Sequence, residues 1–84
     1  MDMTTVDRTI AEILRDLVDY TGPVSNDLRA KDVPNWDSVA HISIVEELES
    51  RFSVKFSTEE MVELTGLAAI KAALARHGVA SATA

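Results

Sequence analysis

The sequence predicts an all-α fold of four helices, with a long loop between the first and second and a short third helix. Three observations lead there. Apolar side chains recur three and four residues apart in separate stretches, the mark of helices with one buried face. The one alternating stretch, Val54-Lys55-Phe56, is too short to build a sheet. Residues that start and stop helices stand at the borders of the apolar stretches. At 84 residues the chain can enclose one core but not two. It is read as a single domain over 1–84, with an ordered core over about 5–77 and a flexible tail over 79–84.

In the first helix Val6, Ile10, Ile13, Leu14 and Leu17 form the apolar line, with Asp7, Arg8, Glu12, Arg15 and Asp16 on the other faces. Thr4 or Thr5 can cap it, because a hydroxyl accepts from the free amides of a first turn, and Gly22-Pro23 is the expected stop. Residues 21–37 carry Gly22, Pro23, Asn26, Asp27, Pro34 and Asn35, which favour turns. They read as a long ordered loop pinned by Leu28, Val33 and Trp36.

A second helix is predicted from Ser38 to Phe52. Stepping about 100° per residue places Ile42, Ile44, Val45, Leu48 and Phe52 in an arc of roughly 160°, wide enough to face a core. Val39, Ser43, Glu46, Glu47 and Ser50 gather on the opposite side, toward solvent or a partner. Residues 53–57 are an extended connector. Ser57 and Glu60 have the spacing of a capping box opening a short third helix over about 58–64. Thr65 is the expected cap of a last helix with Leu67, Ile70 and Leu74 buried, ended by Gly78, and Arg76 and His77 suit its negative end.

With 46% apolar and 26% charged residues the chain has a globular composition, not that of a disordered tail. The net charge of −6 has the wrong sign for a nucleic acid. Most of it lies in residues 37–63, where seven acids against Arg51 and Lys55 leave −5. Such a field favours partners with basic surfaces. There is no cysteine, hence no disulfide and no thiol chemistry of the chain's own. No stretch approaches the length of a membrane span, and Met1 to Thr5 lack a basic region followed by an apolar run. A cytoplasmic monomer, with no membrane or nucleic-acid partner, is the expectation.

The inventory for catalysis is thin. His41 and His77 lie far apart in sequence, and no Gly-rich phosphate loop or metal-ligand spacing occurs. So small an all-helical domain has little room for a substrate pocket. One serine stands out, Ser38, which follows Asp37 where the loop meets the acidic second helix. Read plainly, Asp37 or Ser38 is an N-cap residue. His41, one turn on, falls within the apolar arc and reads as a partly buried side chain bonded to the loop backbone. Trp36 reads as a loop anchor.

The stretch Asp37-Ser38-Val39, followed by Ile42, Ile44, Val45, Leu48 and Phe52 and then by Val54-Lys55-Phe56, resembles the core signature of the acyl carrier protein family, Asp-Ser-Leu at the start of the second helix. The acidic run Glu46-Glu47-Leu48-Glu49 is similar too, and the helix order agrees, so the resemblance spans roughly residues 5–77. It implies an acyl-carrier-type bundle. It also implies that Ser38 receives a 4′-phosphopantetheine arm from coenzyme A, added by a phosphopantetheinyl transferase with magnesium, which Asp37 would help to hold. Acyl or aminoacyl groups would ride on the arm as thioesters. Val39, Ser43, Glu46, Glu47 and Ser50 would meet acyl-loading and acyl-processing enzymes through their basic docking surfaces.

Two departures bear on the pathway. Val39 stands where leucine is usual, and Ser43 and Ser50 stand where carriers of fatty acid synthesis are commonly acidic. With Trp36 and His41 flanking the serine, the chain is more similar to stand-alone carriers of polyketide or nonribosomal peptide biosynthesis, although it lacks the Gly-Gly-x-Ser pattern of peptidyl carriers. Two rivals stay open: a helical interaction module that is never modified, and a small hydrolase using Ser38 and His41.

Overall fold

The computed structural model describes residues 5–79. They form four α-helices in the order α1 (Thr5–Val18), α2 (Ser38–Phe52), α3 (Thr58–Glu63) and α4 (Leu67–Arg76), with a 3-10 turn over Ala30–Asp32 between α1 and α2. Among the described residues no strand occurs. One isolated antiparallel bridge joins Arg29 to Gly66.

The core is built from three helices and the loop. Val6, Ile10, Ile13, Leu14 and Val18 of α1 meet Ile44, Val45 and Leu48 of α2 and Leu67, Ile70, Ala73 and Leu74 of α4. Leu28, Val33 and Trp36 close it from the long loop, as their apolar character in a polar stretch predicts, and Leu64 closes it from the turn before α4. Among the described residues no polar or charged residue is buried. Phe52 and Phe56 pack at the edge of this core, half-buried, not at its centre.

Several boundaries differ from the sequence expectation, each for a local reason. α1 ends at Val18, four residues before Gly22-Pro23, because Asp19 takes the left-handed conformation (φ 57°) that short polar side chains tolerate. The Tyr20 amide then closes back on the Leu14 carbonyl at 3.2 Å. The α1 stripe therefore finishes on Val18, and Leu17 is exposed. Thr5 is the first helical residue, and the alternative cap Thr4 lies outside the described residues.

α2 has the bounds its pattern predicts, but its buried face is narrower. Ile42, placed in the core arc by angle, is 50% exposed. Burial along α2 instead follows Ile44, Val45 and Leu48, with Phe52 partly covered. Ser53, left-handed at φ 55°, ends the helix. The Glu49 carboxylate then accepts the Phe56 amide at 2.8 Å and holds the connector in place.

α3 opens on the expected capping box: Ser57 Oγ accepts from the Glu60 amide at 3.1 Å and Glu60 Oε1 from the Ser57 amide at 3.0 Å. It stops at Glu63, one residue short of the expectation. α4 is not capped by Thr65. Its N-cap is Gly66, and the Leu67 amide donates instead to the Leu28 carbonyl of the long loop at 2.9 Å. A Cβ on Gly66 would lie 2.8 Å from that same oxygen, so only glycine lets the loop come close enough to serve as the cap. Gly78, at φ 87°, ends the last turn as expected. Val79, expected in the flexible tail, instead bonds the Leu74 carbonyl at 3.0 Å and packs half-buried on the core. The rest of that tail lies outside the described residues.

Candidate functional site

Where the long loop turns into α2, Asp37 is extended (φ −95°, ψ −172°) and its Oδ1 accepts from the Ala40 amide at 2.8 Å. This is the N-cap arrangement, and it assigns the capping role to Asp37 rather than Ser38. Ser38 is thereby the first helical residue, and it is exposed. A cleft of about 360 Å³ opens beside it, lined by Ala30, Trp36, Asp37, Ser38, His41, Val62 and Thr65. The walls thus come from the loop, from the start of α2 and from α3 and its exit.

His41 forms the centre of this region. Trp36 Nε1–H donates to His41 Nδ1 at 3.0 Å, and the other ring nitrogen, Nε2, lies 2.7 Å from the Met61 carbonyl. An indole N–H can only donate and a carbonyl can only accept. The imidazole is therefore the neutral Nε2–H tautomer, with its lone pair pointed at Trp36. The rings stack at 6.1 Å between centroids. The expected bond from His41 to the loop is present, but it reaches the Trp36 side chain rather than backbone, and the backbone partner belongs to α3. Neither ring nitrogen is free to take a proton from Ser38, so the Ser38–His41 pair lacks the nucleophile–base geometry of a hydrolase.

The remaining residues of the expected surface divide. Val39 is 74% exposed and Glu46 and Ser50 are exposed, whereas Ser43 and Glu47 are half-buried. Glu47 also accepts from Arg51 Nε at 3.2 Å, and Arg51 reaches Glu12 of α1 at 3.0 Å. Part of the acidic face is therefore used to tie α2 to α1. Two apolar residues that sequence reasoning did not place here, Ile42 and Val62, are exposed, at 50% and 68%. Val62 lines the cleft, as do Ala30 and Thr65. Nothing local in the sequence marks these three, since the cleft comes from packing of α3 beside the loop.

At the far end of α3, Glu60 meets His77 Nε2 at 3.0 Å and Arg76 at 3.5 Å. The Ser57 amide, together with His77 and Arg76, holds the Glu60 carboxyl below its ordinary value, against an opposing effect of burial. Among the described residues no group of three or more His, Asp or Glu is arranged to hold a metal ion. Nor is any helix long and apolar enough to cross a membrane. Comparison with protein-family models, with curated proteins and with solved structures finds no match to this chain.

Proposed function

We propose that the chain is an acyl carrier whose Ser38 bears a 4′-phosphopantetheine arm, within a bundle of the acyl-carrier type. The observation that carries the reading is the placement of Ser38: exposed, at the first position of α2, directly after a capping aspartate, at the mouth of a cleft. A hydroxyl there is open to a large enzyme and to a long substituent. The free amides of the first turn favour a phosphate at that end of the helix.

Among the described residues no base is hydrogen-bonded to the Ser38 hydroxyl, and both nitrogens of the nearby His41 are engaged by Trp36 and Met61. Grafting thus requires a separate transferase. Ser38 Oγ would bond to the pantetheine-side phosphorus of coenzyme A as the pyrophosphate P–O bond breaks and adenosine 3′,5′-bisphosphate leaves, the hydroxyl proton passing to a base of the transferase. Asp37 Oδ2, the carboxylate oxygen not used in the cap, would contact the magnesium of that complex. When attached, the arm would supply the thiol that the chain lacks and hold acyl groups as thioesters. Val39, Ile42 and Val62 give an apolar contact around the serine, and Glu46 and its acidic neighbours meet basic partner residues. The specialised-biosynthesis assignment, polyketide, nonribosomal peptide or a related pathway, rests on Ser43 and Ser50 in α2 and on Trp36 and His41 flanking the serine, and Val39 would alter partner preference.

Incubation with a fluorescent coenzyme A and a broad-specificity transferase should label the wild-type chain and leave Ser38→Ala unlabelled. The exposed apolar residues would equally serve an unmodified interaction module. That reading gains if the folded wild type takes no label.

A further inference from the structure

α3 contributes no buried residue. A helix of six residues whose contact with the core is the partly buried Met61 gains little from packing and is too short to stand alone. Polar ties add to that contact. At its start these are the Ser57–Glu60 capping box and the grip of His77 and Arg76 on Glu60. Near its end the tie is the bond from His41 to the Met61 carbonyl, next to Val62. The same imidazole accepts from Trp36, so one side chain of α2 bridges the loop wall and the α3 wall of the cleft.

We infer that His41 is a positioning residue: through its two bonds it fixes α3, and with it Val62, as the wall of the cleft beside Ser38. A segment held by few polar bonds opens locally before the rest of the fold unfolds. Removing one of those bonds should lower the cost of that opening without touching the core. The clamp itself follows from the geometry. Its consequence for grafting at Ser38 rests on the carrier reading, because the transferase would then meet a displaced wall.

The test is amide hydrogen exchange on His41→Leu, His41→Gln and Trp36→Phe beside wild type, with the rate of phosphopantetheine transfer measured on each. His41→Leu keeps the bulk but leaves the Met61 carbonyl without its donor and the Trp36 indole N–H without its acceptor, so exchange of the α3 amides and of residues 30–36 should rise about tenfold while interior amides of α1 and α4 hold their rates. His41→Gln, which carries both an acceptor and a donor, should restore most of the protection. Trp36→Phe should loosen the amides of residues 30–36 and spare α3. In transfer, His41→Leu should raise KM for the carrier several-fold with kcat kept. A uniform rise across all helices, loss of the fold, or failure of the glutamine to rescue would make His41 a general structural group and overturn the inference. Loosened α3 with unchanged KM would break its link to the site. Absence of transfer to wild type would defeat the carrier reading and leave the exchange result to judge the clamp.

Discussion

Asp37 caps α2 and, in the proposed carrier, would also contact magnesium, and one substitution can separate the two. Its Oδ1 satisfies the Ala40 amide, and replacement of an N-cap aspartate by alanine costs about 1 kcal/mol. Asp37→Asn keeps an acceptor at the cap and removes the charge. Denaturant unfolding should therefore show a loss for Asp37→Ala and little change for Asp37→Asn, while on the proposed reading both should slow phosphopantetheine transfer, because the magnesium contact would need the carboxylate. Equal transfer rates for Asp37→Asn and wild type would reduce Asp37 to a cap alone. In the core, Leu48 is completely covered, and Leu48→Ala should cost about 2–5 kcal/mol by the same measurement. At this scale the sequence was most legible where a residue acts on its chain neighbours: the Ser57–Glu60 box and the Gly78 stop stand as their spacing predicts. His41 was half legible. Its helical angle indicated partial burial, but its bonds to Trp36 and Met61 depend on where the loop and α3 come to rest.

Among the elements, α3 has a hold that depends on pH. In the folded chain Glu60 releases its proton more readily than the ordinary value of 4.5, first because the Ser57 amide donates to it. The unfolded chain thus takes up that proton at higher pH than the folded one. The stabilisation is full above 4.5 and is lost as pH falls through the lowered value. Thermal unfolding followed against pH should show wild type and Glu60→Gln separated by a constant gap near neutrality. Below about 4.5 the gap should narrow; a gap independent of acid would contradict the assigned role of Glu60. Element existence and type were readable from periodicity. The errors fell at the ends, where distant backbone decides: Gly66 starts α4 because the Leu28 carbonyl supplies the cap, a partnership between segments far apart in sequence. Ile42 was misplaced because the angle around a helix gives a face and not how much of that face its neighbours cover.

Over the whole chain, −5 of the net charge of −6 falls in residues 37–63, the stretch that contains Ser38. A carrier that meets several enzymes in turn needs contacts that form fast and release fast, and charge attraction supplies the first without demanding tight binding. The KM for transfer should therefore rise with salt, and Glu46→Gln should flatten that dependence. Salt-independent KM would place the contact on the apolar residues alone. The architecture of the site was legible as a serine at a helix start; the cleft was not, because its third wall is α3, whose packing beside the loop leaves no periodic signal.

The central claim is that Ser38 Oγ is the attachment point of a pantetheine arm. Fragmentation mass spectrometry on the folded chain after exposure to coenzyme A and a transferase tests it most directly. The account predicts a single phosphopantetheine addition, localised to Ser38. A folded chain that remains at its unmodified mass, or that carries the addition on another serine, would contradict it.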